Sequence, residues 1–399
     1  MKSFLLKIFE ITLILFSLSV SLTMYSMASM GEERQLWGIN YDYYLLPLLF
    51  ANIIIIIVDL KDLVLKGLNK WILLWGGIAS VSALLFGYNN LNTLVRVNIW
   101  ISTYFAAYCL AKQSSYSIES IVKVFIIIYF LGLFFFWQGK LYQSVNYDKG
   151  MEIRSNAIYC IITVVPLILL LKRKWFTLLL LILAFVSTIF SSKRGATIIM
   201  ILALIPVSRS VFSKMSSKTW RSVFVVLMVV AISYLSLFIS NSYLGGVLMD
   251  RFADVEESGG SGRMDLWELT IDAFNNSNIS NQLFGHGYRA VSYLADATGA
   301  HNDFLEILYD YGVIGLVFYL FIHLFMIMKM IRLRKQKNNL FFPFAVMYII
   351  FFVMSMVSIL IVQQRYLVYM AVFWGMLEGC NYQYEIKYDN NKISKDEKY

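Results

Sequence analysis

Four prolines, three cysteines and three histidines are spread over 399 residues, and only 15% of the chain is charged. Each shortage removes a class of protein. A soluble enzyme of this length needs far more charge to cover its surface. Cys109 and Cys160 fall inside hydrophobic runs and Cys380 just past the last one, so the polar loops hold no disulfide framework. No His/Cys set has zinc spacing, and we expect no metal. A phosphate-binding glycine loop, a Gly-x-Ser-x-Gly elbow and an Asp-x-Asp pair in a polar loop are all missing. That argues against nucleotide-sugar chemistry, and no cofactor is expected. The strict alternation of an outer-membrane barrel is missing too.

What the chain has instead is hydrophobic residues, 59% of the total, in long runs such as 175–190 and 223–239. About 20 apolar residues cross a bilayer core of roughly 30 Å. The expected fold is all-α: a polytopic membrane protein of about 12 spans, at 8–27, 43–60, 71–88, 91–111, 118–137, 155–171, 174–190, 195–212, 221–240, 304–328, 340–361 and 365–379. Nine spans occupy residues 1–240 and three occupy 304–379. One long polar loop lies between them at 241–303, and a tail follows at 380–399. Pro47, Pro166, Pro206 and Pro343 all fall in spans, where they can kink helices. The first segment, behind Lys2 and Lys7, reads as an uncleaved first helix.

The formal net charge of +9 reflects topology rather than nucleic acid, which is not an expected partner. With the N-terminus inside, about 23 of the 34 basic residues fall in inner loops and termini. This predicts a multi-pass protein of the cytoplasmic membrane with both termini cytoplasmic and the long loop outside. Within that loop, Ser258 to Gly262 reads as a hinge. Met264, Trp267, Ile271 and Phe274 then form one apolar face of a short helix at the membrane interface.

Basic residues on the outer side break the pattern and need another explanation. They are Lys193, Arg194, Arg154, Arg263, Arg289 and Arg365, with Arg34, Lys140, Lys149 and Arg251 in addition. Arginine offers a planar fork of donors suited to phosphate. The structural alternative is snorkelling, or pairing with Asp254, Glu256 or Glu257. Among the histidines, His323 sits mid-span as a packing residue and His286 sits in a tight turn between glycines. His301 starts a helix, followed by Asn302 as a cap and by Asp303 and Glu306 at the positive dipole end. Nearby arginines would keep its imidazole neutral and able to take a proton. Asp303, Glu306 and Asp310 run down one helix without a partner carboxylate for glycosidase chemistry. Tyr288, Tyr293 and Trp267 could stack on sugars or simply pack against the membrane.

Gly285-x-Gly287, His301-Asn302-x-Phe304-Leu305-Glu306 and Tyr311-Gly312-x-Ile314-Gly315, with Ser-Lys-Arg-Gly at 192–195, resemble the signatures of the O-antigen polymerase and O-antigen ligase superfamily. Arg263 with Trp267 also fits. The resemblance covers about 180–320. It implies metal-independent, inverting glycosyl transfer between undecaprenyl-diphosphate-linked oligosaccharides, on a GT-C-like multi-spanning fold. His301 matches the histidine that activates the acceptor hydroxyl, and Arg194 the arginine that holds the diphosphate. Lys193, Arg154, Arg263, Arg289 and Arg365 are substrate-binding candidates from charge and side alone. The expected function is a repeat-unit polymerase for O-antigen lipopolysaccharide or capsule. Alternatives are the ligase that passes glycan to lipid A-core and, in another class, a lipid-linked oligosaccharide flippase. Expected partners are the lipid-linked oligosaccharide, the bilayer and a chain-length regulator.

Overall fold

A computed structural model describes residues 2–30, 41–86, 91–113, 115–145, 156–191, 193–213, 222, 262–294 and 299–396. The predicted ninth span, 221–240, lies almost wholly outside the described residues. Eight helices precede it: α1 (Lys2–Met30), α2 (Leu45–Val58), α3 (Leu68–Phe86), α4 (Leu91–Gln113), α5 (Ser115–Val145), α6 (Ile158–Ile168), α7 (Lys174–Phe190) and α8 (Arg194–Ser213). Three short ones follow, α9 (Arg263–Asn275), α10 (Ile279–Phe284) and α11 (Val291–Leu294). Three long ones complete the bundle, α12 (Asp303–Lys335), α13 (Phe341–Val357) and α14 (Gln364–Asp396). The described chain contains no strand, and the protein is an all-α polytopic membrane protein.

Six of these helices are long and apolar enough to cross a membrane, and four apolar ones are shorter. The predicted spans correspond to α1–α8 and α12–α14, with shifted ends. α14 runs well past the predicted boundary at 379, because no glycine or proline after Gly379 stops it.

The centre of the bundle is the pair α4 and α14. Gly375 and Gly379, four residues apart, lie on one face of α14. A Cβ on Gly375 would collide with the Tyr104 carbonyl, and one on Gly379 with the Tyr108 carbonyl. The missing side chains let two backbones touch where lipid gives no hydrophobic drive for association. Aromatic contacts fix α3 against α12: Trp71 stacks on Phe321 at 4.3 Å, and Trp75 meets Tyr311 edge-on at 5.6 Å. Lys329 and Glu378 tie α12 to α14 at the opposite end from His301, 3.1 Å apart.

α12 is one helix in length and two in geometry. Gly312 interrupts it with φ 68° and ψ −174°, nine residues into the candidate span Asp303–Lys335. A break there frees carbonyls that lipid cannot satisfy. The turn after α10 supplies the donors. His286 N–H donates to Tyr309 O (3.0 Å) and Gly287 N–H to Asp310 O (2.9 Å). Ser82 Oγ of α3 donates to Asp310 O and Phe284 O, both at 3.2 Å. The two backbones cross so closely that a Cβ on Gly285 would strike Asp310 O and one on Gly312 would strike Leu283 O. Gly285 also has φ 85°.

Gly375→Leu and Gly379→Leu are each expected to push α14 off α4, at about 1–3 kcal/mol. Thermal unfolding of the detergent-purified protein checks this, and an unchanged midpoint for both variants contradicts the packing.

Candidate functional site

Three ties place His301. Trp267 Nε1 donates to Ala300 O (2.8 Å), and Ala300 N–H donates to Glu306 Oε2 (2.8 Å). Asn302 Oδ1 accepts from Phe304 N–H (2.9 Å) and Leu305 N–H (3.3 Å), capping α12. His301 is therefore outside the helix it was expected to start. Its φ of 52° is left-handed, an uncommon conformation for a non-glycine residue, and such strain clusters at functional sites.

Basic side chains from other elements gather around it. Lys193 ends the turn between α7 and α8, where its N–H meets Ser191 Oγ (3.2 Å) and its carbonyl accepts from Thr197 N–H (3.0 Å). Arg194 opens α8, and Arg263 opens α9. Burial pulls the His301 imidazole below its ordinary range, and the positive charges of Arg263 and Lys193 push the same way. Burial likewise lowers Arg263, with Tyr159 acting against the shift and Arg194 adding to it. Lys193, Arg194, Arg263 and His301 thus share one electrostatic neighbourhood. The N-terminal ends of α8, α9 and α12 meet there, and their dipoles add positive potential.

Tyr159, at the start of α6, belongs to this cluster although the sequence offered no signal for it. A Cβ on Gly195 would sit 2.8 Å from its hydroxyl and 3.0 Å from Val357 Cγ2. Its ring packs on Tyr366 at 5.7 Å. Arg365 follows on α14, with Nη1 3.7 Å from Met24 Sδ. Arg289 is close enough to Glu306 to act on it electrostatically. Its backbone is also left-handed, with φ 61°. Arg154, Arg34, Lys149 and Arg251 lie outside the described residues.

The carboxyls of α12 hold loops. Asp303, Glu306 and Asp310 are fully buried. Asp303 Oδ1 accepts from Ile361 N–H (3.0 Å) and its Oδ2 from Tyr319 OH (3.1 Å). Asp310 Oδ2 accepts from Arg289 N–H (2.7 Å) and Oδ1 from Val291 N–H (3.3 Å). The spacing of 303, 306 and 310 put them on one helical face, and a carboxyl within a span needs partners. Backbone N–H groups were the partners not foreseen.

His286 stacks on Tyr309 at 4.1 Å with Nε2 3.0 Å from Ser277 Oγ, a structural role. His323 is buried among rings, stacked on Phe351 at 4.7 Å, as expected of a packing residue. Of the interfacial stripe, Trp267 and Phe274 pack inward against Ala290, Val291, Ala300 and Tyr309. Met264 and Ile271 stay exposed. The stripe is wide enough for its two edges to face different surroundings. Tyr288 is buried, and Tyr293 presents its ring outward.

Residues 179–320, which hold most of this cluster, match the family model for O-Antigen ligase. The match is consistent with the O-antigen polymerase and ligase superfamily. No curated protein matches the chain.

Asp310→Asn leaves one carbonyl oxygen where two oxygens accepted N–H groups, a loss of about 1–3 kcal/mol. Faster amide hydrogen exchange across 286–291, with α4 and α14 unchanged, is the expected outcome. The lowered His301 value sets a sign as well. Between that value and the ordinary one near about 6.5, the folded imidazole stays neutral while an unfolded one is protonated. Acidification through that window therefore costs stability, whereas the neutral base persists until the lowered value is reached. Lys193→Gln removes one of the charges responsible, so the imidazole titration followed by NMR should move to higher pH.

Proposed function

We propose that this chain, carrying the O-antigen polymerase and ligase superfamily's segment, is a repeat-unit polymerase of surface polysaccharide. On this reading it joins undecaprenyl-diphosphate-linked oligosaccharides at the outer face of the cytoplasmic membrane. The observation that carries it is the gathering of Lys193, Arg194 and Arg263 around a half-buried histidine whose imidazole is held neutral. Such a field suits an anion of more than one charge, and the neutral ring suits proton acceptance.

The acceptor hydroxyl gives its proton to His301 as its oxygen attacks the anomeric carbon of the donor. The bond from that carbon to the diphosphate oxygen breaks on the opposite face, inverting the centre. Charge develops on the departing lipid diphosphate, where Arg194, Lys193 and Arg263 meet it as fixed donors. No acid is needed, since a diphosphate leaves as the anion. General-base assistance is worth typically about 10²–10⁴-fold. Tethering the donor in the bilayer adds proximity.

The ligase differs only in its acceptor. The matched family is described by that activity, so the assay carries both acceptors. Purified protein in lipid, given synthetic lipid-linked repeat units, is expected to build a ladder of oligomers. Transfer to lipid A-core alone, without a ladder, assigns the ligase activity instead. His301→Asn keeps a residue tolerant of left-handed backbone and lacks the base. It and Arg194→Ala are each expected to lower turnover at least about a hundredfold. Near-normal ladders from His301→Asn remove that residue from the chemistry.

A further inference from the structure

Gly195 is the second residue of α8. It is not among the positive-φ glycines, so backbone conformation does not call for glycine there. Space does. A Cβ at 195 would lie 2.8 Å from the Tyr159 hydroxyl and 3.0 Å from Val357 Cγ2. In a helix the Cα–Cβ bond tilts toward the N-terminus. The hydroxyl therefore stands on the side of Gly195 that faces the start of α8. The ladder of that helix begins with Thr197 N–H donating to Lys193 O (3.0 Å). The N–H groups of Gly195 and Ala196 precede it and have no helical carbonyl to donate to.

Tyr159 is braced in this position. Its N–H donates to Asn156 O (3.1 Å), and the same carbonyl accepts from Tyr366 OH (3.2 Å). The two tyrosine rings pack at 5.7 Å. These contacts use the backbone and ring of Tyr159, and phenylalanine would make them equally well. The hydroxyl is left over. Tyr159 is only 7% exposed, and among the described residues its oxygen enters no hydrogen bond. A buried hydroxyl without a partner costs stability. The polar groups beside it are donors: the two backbone N–H groups, and the Arg263 guanidinium within electrostatic reach. A hydroxyl can turn its proton to join them. Donors converging on one place suit an acceptor that carries negative charge.

We propose that the Tyr159 hydroxyl and the N–H groups of Gly195 and Ala196 form an uncharged donor subsite for a non-bridging oxygen of the substrate's diphosphate. The proposal rests on the glycosyl-transfer reading and adds to it a binding residue on α6. Lys193, Arg194 and Arg263 neutralise the diphosphate. The hydroxyl and the N–H groups add directed bonds to one of its phosphates. Being neutral, they add nothing to the repulsion that already lowers Arg263. A ring braced by α14 and a helix end are both rigid, so the bonds need no rearrangement when the anion arrives.

The test uses the full chain in phosphatidylcholine nanodiscs, with farnesyl diphosphate as the probe. Tyr159→Phe keeps the ring and removes one oxygen. Its affinity for the probe is expected to fall about tenfold, while its thermal midpoint equals or exceeds that of the wild type because an unpaired hydroxyl is gone. A lower midpoint with unaltered binding marks a structural hydroxyl and overturns the proposal. Gly195→Ala sets a methyl against the hydroxyl and should weaken binding similarly. Added to Tyr159→Phe it should cost little more, since the ring carbon Cζ lies 4.0 Å from that methyl. Fully additive losses overturn the proposed geometry. Phosphatidylglycerol in the nanodisc tests the other source of phosphate. If it displaces the probe from the wild type and not from Tyr159→Phe, the subsite belongs to a bilayer headgroup and the proposal falls. With lipid-linked repeat units, KM of Tyr159→Phe should rise about tenfold, the larger share of its loss in kcat/KM. A wild type that binds the probe through Tyr159 yet transfers no glycan sinks the glycosyl-transfer reading and leaves the subsite standing. Normal transfer, with probe affinity the same in wild type and Tyr159→Phe, sinks the subsite alone.

Discussion

A helix broken inside a membrane has to find new partners for its backbone, and the rest of this site follows from how that requirement is met. Gly312 turns α12 out of helical geometry nine residues into its span. The carbonyls of Tyr309 and Asp310 then take N–H groups from His286 and Gly287. Only glycine fits at the two points where the backbones cross. The turn so captured carries Arg289, and the carboxyl of the same Asp310 accepts that residue's N–H. Hydrogen-bond accounting in a medium without water thus sets the path of the chain.

The same helix distributes charge. Its three buried carboxyls accept from the backbone at Ile361, Ala300 and Arg289. They serve as fasteners for three separate segments. Cations meanwhile collect at the end of the bundle, from α8, α9 and the turn before α8. Like charges at that proximity oppose one another, as the lowered Arg263 value records. The summed positive potential at that end of the bundle is a property of the fold.

Much of this was legible in the residues. The apolar runs located every described span, since bilayer thickness dictates their length. The glycines at 285, 287 and 312 stood in the motifs that carry the family resemblance, without their crossing being foreseen, and the exceptions to the positive-inside pattern marked Lys193, Arg194 and Arg263. Other features depend on tertiary context. The left-handed backbone at His301 arises from ties at Ala300 and Asn302 that no local pattern encodes. Tyr159 joins the cluster through Gly195, 36 positions away in sequence. The carboxyls of α12 were placed along one helix with no partners assigned, because an acceptor's donor is a three-dimensional fact. α14 continued beyond its expected end for want of a stop signal, and polarity alone does not end a helix.

The bond from Ser82 to Asp310 joins positions 228 apart. During synthesis the third helix waits in the bilayer while most of the polypeptide is still unmade. The crossing of the broken helix with the 285–287 turn accordingly cannot take shape piecemeal. It closes only after late insertion events bring the broken helix beside its early neighbour, in keeping with the slow assembly of long-range contacts. A ribosome-bound or prematurely terminated chain would hold its membrane foothold while the turn that Ser82 helps to fix had no broken helix to cross.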